Sequence, residues 1–268
     1  AKPILDDALW EIIEPVIPKR KRRFRYPGRK SIPDRAALTG ILFVLKTGIG
    51  WEDLPKEMGC GSGMTCWRRL RDWQEAGVWD EIHRLLLNKL RQADQIDFSR
   101  AIVDSASVRA FLGAKTGPNP TDRRKKGTKH HLVTEAQGIP LAVRMTGANC
   151  HDVTQLIPLV ESIPPIAGKV GRPIKKPDCL LGDRGYDSEE HRRQLRGKGI
   201  IPVLAKRRTE NGSGLGIYRW VVERSLSWLH QNRRLRIRYE KRNDIHQAFL
   251  IIGCIKICWN HVANSSFC

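Results

Sequence analysis

The spacing of apolar residues changes period once, near Phe98, and that switch restricts the chain to a helical part followed by a layered α/β part. Before the switch, apolar residues recur at helical spacing between glycines. Trp10 to Val16 opens the chain and is closed by Pro15 and Pro18. Asp34 begins a helix through Leu38, Ile41, Leu42 and Leu45 that stops at Gly48. Trp51 to Met58 reads as a short second helix ending at Gly59, and Ser62 caps a third, Met64 to Glu75, ending at Gly77. Short helices with glycine-bearing turns predict a small all-α, helix-turn-helix-like domain over 1–97. After the switch, Ala101 to Asp104, His131 to Val133, Ile139 to Met145, Asp178 to Leu181 and Ile200 to Ala205 read as five strands. A turn at Gln137-Gly138 joins the second to the third, and Ser188 caps a helix through Leu195 that ends near Gly199. Ile217 to His230 is a long helix, and Phe249 to Trp259, apolar all round, is a helix expected to be buried. Residues 98–268 therefore read as an α/β domain, a mixed five-stranded sheet with flanking helices.

Charge narrows the partners. Lys and Arg number 48 against 28 Asp and Glu, a net +20 in 268 residues. Self-repulsion makes that excess a cost to the compact state, and a polyanion offsets it by releasing condensed counterions. Nucleic acid is the leading partner. Two basic features lie in the helical part. One is the run Lys19-Arg20-Lys21-Arg22-Arg23; the other is the third helix, with Arg68, Arg69 and Arg71 beside Trp67 and Trp73. Such a helix suits phosphate contacts and groove insertion, or else is a solvated face with two core tryptophans.

Other classes are argued against. The longest apolar run, Ala248 to Trp259, carries Lys256 and falls short of the roughly 20 residues of a membrane span. Asp6, Asp7 and Glu11 interrupt the start, which does not read as a secretory signal. Seven cysteines with scattered spacing point to reduced thiols, hence a cytoplasmic, nucleoid-associated protein. Cys60 with Cys66, and Cys254 with Cys258, lack zinc-knuckle spacing and read as buried thiols. Phosphate-cradling motifs and a serine nucleophile elbow are absent, which argues against an ATPase or a serine recombinase. The pair His151-Asp152 reads as a loop histidine with a capping aspartate rather than as a catalytic pair.

Two aspartates sit at the ends of apolar strands: Asp104 after Ala-Ile-Val and Asp183 after Leu-Leu-Gly. A carboxylate there needs compensation, from an ion pair with Arg109 or Arg184 or from a divalent metal. Helical spacing aligns Arg219, Ser227 and His230 with Glu223, a polar stripe that faces either solvent or the strand ends. Three carboxylates suit phosphodiester chemistry because hard cations prefer oxygen ligands. Two ions about 3.5–4 Å apart clamp the attacking and leaving oxygens. Arg219 would contact a phosphate oxygen or orient Glu223.

Three stretches carry a resemblance: Ala101-Ile-Val-Asp-Ser-Ala-Ser-Val-Arg-Ala110, Cys179-Leu-Leu-Gly-Asp-Arg-Gly-Tyr-Asp187 and Tyr218-Arg-Trp-Val-Val-Glu-Arg-Ser-Leu-Ser-Trp-Leu229. In this order they resemble bacterial insertion-sequence transposases of the Asp-Asp-Glu class, more narrowly the "insertion sequence five" group. The stretches Gly48-Ile-Gly-Trp-Glu-Asp-Leu-Pro55 and Trp67-Arg-Arg-Leu-Arg-Asp-Trp73 are similar to that group's DNA-binding region, and Lys129 to Asp152 also fits. The resemblance covers nearly the whole chain. It implies a ribonuclease-H-like fold, a divalent cofactor (Mg2+, with Mn2+ as substitute), and binding to an element's terminal inverted repeats. It also implies Asp104, Asp183 and Glu223 as the catalytic and metal-holding acids.

A related signature places Tyr, Arg, Glu and Lys along the helix that carries Glu223. Arg219 and Glu223 match it, whereas its tyrosine position is Gly216 and its lysine position His230. Tyr218 and either Arg233 or Arg234 stand nearby as substitutes. The expected DNA contacts are therefore Arg68, Arg69, Arg71, Tyr218, Arg219, His230, Arg233 and Arg234. The expected partners are double-stranded DNA, both element ends and target, and a second copy of the chain, with neither membrane nor small-molecule substrate. Three functions stay open: an active transposase, a DNA-binding relic of one, and a ribonuclease-H-like nuclease that cuts without joining.

Overall fold

The computed structural model describes residues 3–19, 24, 25, 30–208, 214 and 216–265. Of the basic run at 19–23, all but Lys19 lies outside them. The helical part opens with α1 (Asp7–Ile13), started by the Asp6 carboxylate on the Ala8 N–H at 2.9 Å and followed by a 3-10 turn at Glu14–Val16. Next come α2 (Asp34–Thr47), α3 (Gly63–Glu75) and α4 (Val78–Gln92). Gly48, at φ 76°, ends α2, and the Ser62 hydroxyl caps α3 by accepting the Thr65 N–H at 3.3 Å. The helix expected over Trp51 to Met58 is only a 3-10 turn, Lys56–Met58. Pro55 disfavours helical backbone at Leu54 and shortens what can form. α4, which the punctuation did not single out, begins at Gly77 in the left-handed region and buries Trp79, Ile82, Leu86, Leu87 and Leu90 along one face.

The sheet follows the order β4-β3-β1-β5-β6 through its five long strands: β1 (Arg100–Ala110), β3 (Lys126–Glu135), β4 (Pro140–Gly147), β5 (Cys179–Gly182) and β6 (Ile201–Leu204). Two-residue strands β2 (Gly117–Pro118) and β7 (Ile237–Arg238) pair with β3 and β1 at their far ends. β1, β3 and β4 form an antiparallel meander, while β5 and β6 run parallel to β1. A meander of three followed by two parallel strands on the opposite side of the first is the ribonuclease-H-like arrangement. β1 extends six residues past Asp104 because β3 and then β7 supply hydrogen-bond partners, so this aspartate sits inside a strand rather than at its end.

The remaining helices are α5 (Leu156–Glu161), α6 (Glu189–Gly197), α7 (Gly216–His230), α8 (Arg233–Arg236) and α9 (Asn243–Ser265). Ser188 precedes α6 without capping it; its hydroxyl meets His191 Nδ1 at 2.9 Å instead. α7 packs on β1 and β3. α9 lies between the sheet and the first helices. It touches β4 on one side, where Gln247 donates to the Val143 carbonyl at 2.9 Å, and α3 and α4 on the other. Phe249 stacks on Trp51 at 5.8 Å, and His83 of α4 bonds the Pro140 carbonyl of β4 at 2.9 Å. Both parts therefore share one apolar core, with α9 as its spine. No helix among the described residues is long and apolar enough to cross a membrane.

Candidate active site and nucleic-acid interface

β1 and β5 bring the two aspartates together. Ile102 pairs with Leu181 in parallel register, and Asp104 and Asp183 each lie two residues further on. Asp104 is still inside β1 there, whereas Asp183 is one residue past the end of β5, so both carboxylates stand just beyond the last paired residues of two adjacent strands. Asp183 then turns the chain: its carboxylate accepts the Gly185 N–H at 2.8 Å and caps the 3-10 turn Arg184–Tyr186. A β-carbon at Gly185 would come within 2.9 Å of Asp183 Oδ1, so glycine keeps that carboxylate accessible. Asp104 accepts the Ser105 N–H at 2.8 Å and is 15% exposed. Burial pushes its carboxyl up to about 6; Asp183 and Glu223 push the same way, while the Ser105 N–H and Arg219 pull down.

α7 carries the third acid. Val221, Val222, Leu226 and Leu229 pin the helix to the sheet, and the Ser225 hydroxyl donates to the Gly138 carbonyl at 2.7 Å. That fixes the opposite stripe near the aspartates. Arg219 reaches from it, with Nη2 3.8 Å from Asp104 Oδ2 and 3.3 Å from Glu223 Oε1. The Glu223 carboxylate is 56% exposed and, among the described residues, is joined to Asp104 through that guanidinium.

The donors fit a hard divalent ion in kind, since all are carboxylate oxygens and burial and mutual repulsion already raise the proton affinity of Asp104. As they stand, however, no three acidic, histidine or cysteine side chains among the described residues are grouped to hold one ion. Arg219 supplies the positive charge instead.

A fourth carboxylate belongs to this neighbourhood. Asp152, which begins the 3-10 turn Asp152–Gln155, accepts the Ser105 hydroxyl at 2.7 Å and pairs with Lys129 at 2.9 Å. His131 Nδ1 lies 3.7 Å from the same oxygen. Its other oxygen would sit 3.5 Å from a β-carbon on Gly185, over the loop that holds Asp183. Tyr186, 1% exposed, has its phenol held well above the usual range by burial and by Asp152, Asp104 and Asp183. The Asn149-Cys-His-Asp152 stretch carried the only signal for Asp152, and read alone it suggested a cap.

The expected DNA contacts divide by burial. Arg68, Tyr218 and Arg233 are exposed. Arg71 is partly exposed, bound to Asp72 at 2.6 Å and lying over Trp67 at 5.6 Å. Arg69 points inward, 2% exposed, paired with Asp34 at 2.6 Å and donating to the Ile32 carbonyl at 3.3 Å. Arg234 is equally internal, clamped to Glu240 at 2.7 Å and to the Gly48 and Ile49 carbonyls at 3.2 and 2.8 Å. Both guanidiniums are consumed by the fold, because helical periodicity turned these two positions to the core side. His230 also turns inward. It meets His130 at 3.2 Å, His130 meets His246 at 2.9 Å, and His246 meets Glu240 at 3.3 Å. This relay ties the end of α7 to β3 and α9. Tyr218 stacks under Arg100 at 4.7 Å, and Arg224 lies between Trp220 and Trp228 at 4.7 and 4.6 Å, so α7 shows a cation–aromatic surface beside the acids.

Two family models match along the chain. "Putative transposase of IS4/5 family" matches residues 5–83 and "Transposase DDE domain" residues 97–260. The chain is similar to the "Putative transposase for insertion sequence element IS402" of Burkholderia cepacia, 63% identical over 161 residues, 60% of this chain and 75% of that protein. It is also similar to the "Transposase for insertion sequence element IS1106" of Neisseria meningitidis serogroup B, 32% identical over 120 residues, 41% of this chain and 38% of that one. Among solved structures, the Mos1 strand transfer complex overlays 92% of this chain and 81% of its own at 10% identity, with a TM-score of 0.33 too low to bear on the argument. On the family models and the first of these relatives, the chain is a DNA transposase, a member of the transposase DDE domain family of enzymes that cleave and join DNA.

Proposed function

We propose that Asp104, Asp183 and Glu223 are the catalytic acids with which this transposase cleaves the terminal inverted repeats of its element and joins the freed 3′-hydroxyl to target DNA. The observation that supports the reading is that Asp104 and Asp183 each follow the last paired residues of β1 and β5 by two positions, with Glu223 linked to Asp104 through Arg219. Asp104 and Asp183 would hold Mg2+, or Mn2+ in its place, and Glu223 would complete the set once Arg219 lets go. A bound divalent ion supplies Lewis acidity to the attacking and leaving oxygens. Released from the carboxylates, the Arg219 guanidinium is placed to take a non-bridging phosphate oxygen in a two-pronged hydrogen bond. Asp152 holds Ser105 and Lys129, and thereby the backbone that presents Asp104.

Residues 1–97 would grip the ends, with Arg68 and Arg71 on α3, while 98–268 cut and join. Tyr218, Arg219 and Arg233 would meet DNA from the catalytic part, and pairing two ends calls for two copies of the chain. The test is strand transfer with labelled element ends in Mg2+ or Mn2+. Wild type joins DNA, and Asp104→Ala, Asp183→Ala and Glu223→Ala bind ends but yield no cut product. Normal cutting by all three would remove the assignment. Binding by wild type without cutting in either metal would leave a relic that only occupies its ends.

A further inference from the structure

Past the end of β1 the chain leaves Phe111 and Leu112 exposed and enters the hairpin that joins β2 to β3. Its stem pairs Gly117 with Gly127 and Pro118 with Lys126, and the Asn119 N–H then donates to the Lys125 carbonyl at 2.8 Å. At the tip, the Lys125 N–H donates to the Asp122 carbonyl at 2.9 Å, so Arg123 and Arg124 are the two central residues of a tight turn. Their φ values are 46° and 58°. A turn with both central residues in the left-handed region favours Asn-Gly, because larger side chains crowd the backbone there. This chain places two arginines in it. Lys115, on the way into the hairpin, also has a φ of 54°.

Buried groups hold the backbone in this unfavourable form. The Lys115 carbonyl accepts from Arg238 at 3.3 Å and from the Thr128 hydroxyl at 3.0 Å, and both donors are buried. Asn119 is buried as well. Its side-chain oxygen accepts the Thr121 N–H and hydroxyl at 3.2 and 2.9 Å, and its carbonyl accepts the Arg124 N–H at 3.0 Å. A β-carbon on Gly117 would fall 1.8 Å from Asn149 Oδ1, so the stem seats directly against the loop after β4. The tip is therefore anchored from below while its cations face outward.

Lys115, Arg123, Arg124, Lys125 and Lys126 are all exposed, and Asp122 is the one acid of the segment 111–126. Among the described residues no ion pair engages Arg123 or Arg124. They differ in this from Arg69 and Arg234, whose charges the fold consumes on Asp34 and Glu240. Two arginines kept where the backbone disfavours them, and not used by the fold, point to a use outside the chain. We propose that this hairpin is a phosphate grip, with Arg123 and Arg124 at its tip and Lys125 and Lys126 behind them clasping the backbone of duplex DNA, apart from the contacts on α3, α7 and α8. Lys126 begins β3 six residues before Leu132, the partner of Asp104. At roughly 3.3 Å per residue that is about 20 Å, so the grip holds DNA away from the acids and takes no part in the chemical step. Phosphate contacts carry no sequence information, so the grip is indifferent to sequence.

The experiment titrates the full chain with two duplexes of equal length, one carrying a terminus of its own element and one of unrelated sequence. Fluorescence anisotropy reads binding over a series of salt concentrations. The double variant Arg123→Asn/Arg124→Gly removes both charges and supplies the residues that the turn favours. Without DNA, its Tm should therefore rise by about 3 °C. Its affinity for DNA should fall by about tenfold, and the slope of log K against log salt should become shallower by about two, one for each lost phosphate contact. Stability and binding thus move in opposite directions. Arg123→Lys/Arg124→Lys keeps the charges and should keep the wild-type slope.

A shallower slope with the unrelated duplex alone assigns the grip to target DNA, with the end duplex alone to the element's ends, and with both to any duplex; each of these supports it. An unchanged slope with both duplexes overturns it, as does a lysine variant that binds as weakly as the uncharged one. A Tm that falls along with affinity overturns it too, since the arginines would then be holding the turn itself. Cleavage plays no part in this readout. Failure of the grip therefore leaves the catalytic acids standing, and failure of those acids leaves the grip.

Discussion

At the scale of single residues, Asp152 and Asp104 make the sharpest pair. Asp104 reads from the sequence because it ends a short apolar run; Asp152 does not, because its role arises only when the 3-10 turn Asp152–Gln155 meets β1 and β3 at Ser105, Lys129 and His131. Asp152→Asn keeps the side-chain volume and weakens both attachments. DNA binding and folding should survive it, while the cleavage rate falls by about 10- to 100-fold, the usual cost of disturbing what supports a ligand set. A single-turnover cleavage assay beside an end-binding assay separates the two, and a parallel loss of binding would make Asp152 merely structural. The arginines teach a related lesson. Arg68 and Arg69 are adjacent and chemically identical, yet one faces solvent and the other is sealed against Asp34 and Trp73. Phase on the helix decides which is available to a phosphate.

At the scale of elements, α3 depends on how its first turn meets the preceding loop. Ser62 caps the helix through its hydroxyl, and Gly63 packs so closely that a β-carbon would overlap the Trp51 carbonyl oxygen at 1.6 Å. Ser62→Ala should lower stability by about 1 kcal/mol. Gly63→Ala, one residue on, should cost about 3 kcal/mol by forcing backbone apart. Denaturant melts of both variants check the contrast, and equal effects would show that the loop yields. The boundaries of α2, α3 and α7 were legible because capping residues and glycines act locally. The extent of β1 and β3 was not, since a strand continues for as long as a neighbour supplies hydrogen bonds, and those neighbours come from distant sequence. α4 escaped for a different reason: its start at Gly77 looks the same as the end of α3.

At the scale of the whole molecule, the buried histidines set the response to acid. Burial lowers His83 and His131 to about 4 and holds His130 and His246 below their ordinary value. Because the folded values lie below the unfolded one near 6.5, the unfolded chain takes up protons first as pH falls. Stability is therefore present above about 6.5 and lost from there down towards 4, at roughly 3 kcal/mol each for His83 and His131. Asp104 and Glu135, raised by burial to about 6 and about 7, bind protons more readily when folded and offset part of this loss. With His230 and His261 lowered by burial as well, against Asp80, Asp104 and Glu135 raised by it, the Tm should fall between pH 6.5 and pH 4, as thermal scans would register. A Tm that rises over that interval would mean these histidines are open to water.

The amino-acid sequence alone determined the switch from helices to a sheet and the net +20 that calls for a polyanion, and it singled out three widely separated acids as candidates. These depend on periodicity, composition and local chemistry, which need no knowledge of distant neighbours. Tertiary structure alone decided that the pairing of β1 with β5 brings Asp104 and the residue after β5, Asp183, together, and that Arg219 stands between Asp104 and Glu223. It also decided that Asp152 joins them and that Phe111 and Leu112 stay in solvent. The physical reason is that hydrogen-bond register and burial are properties of pairs of segments, and a linear pattern records only one member of each pair.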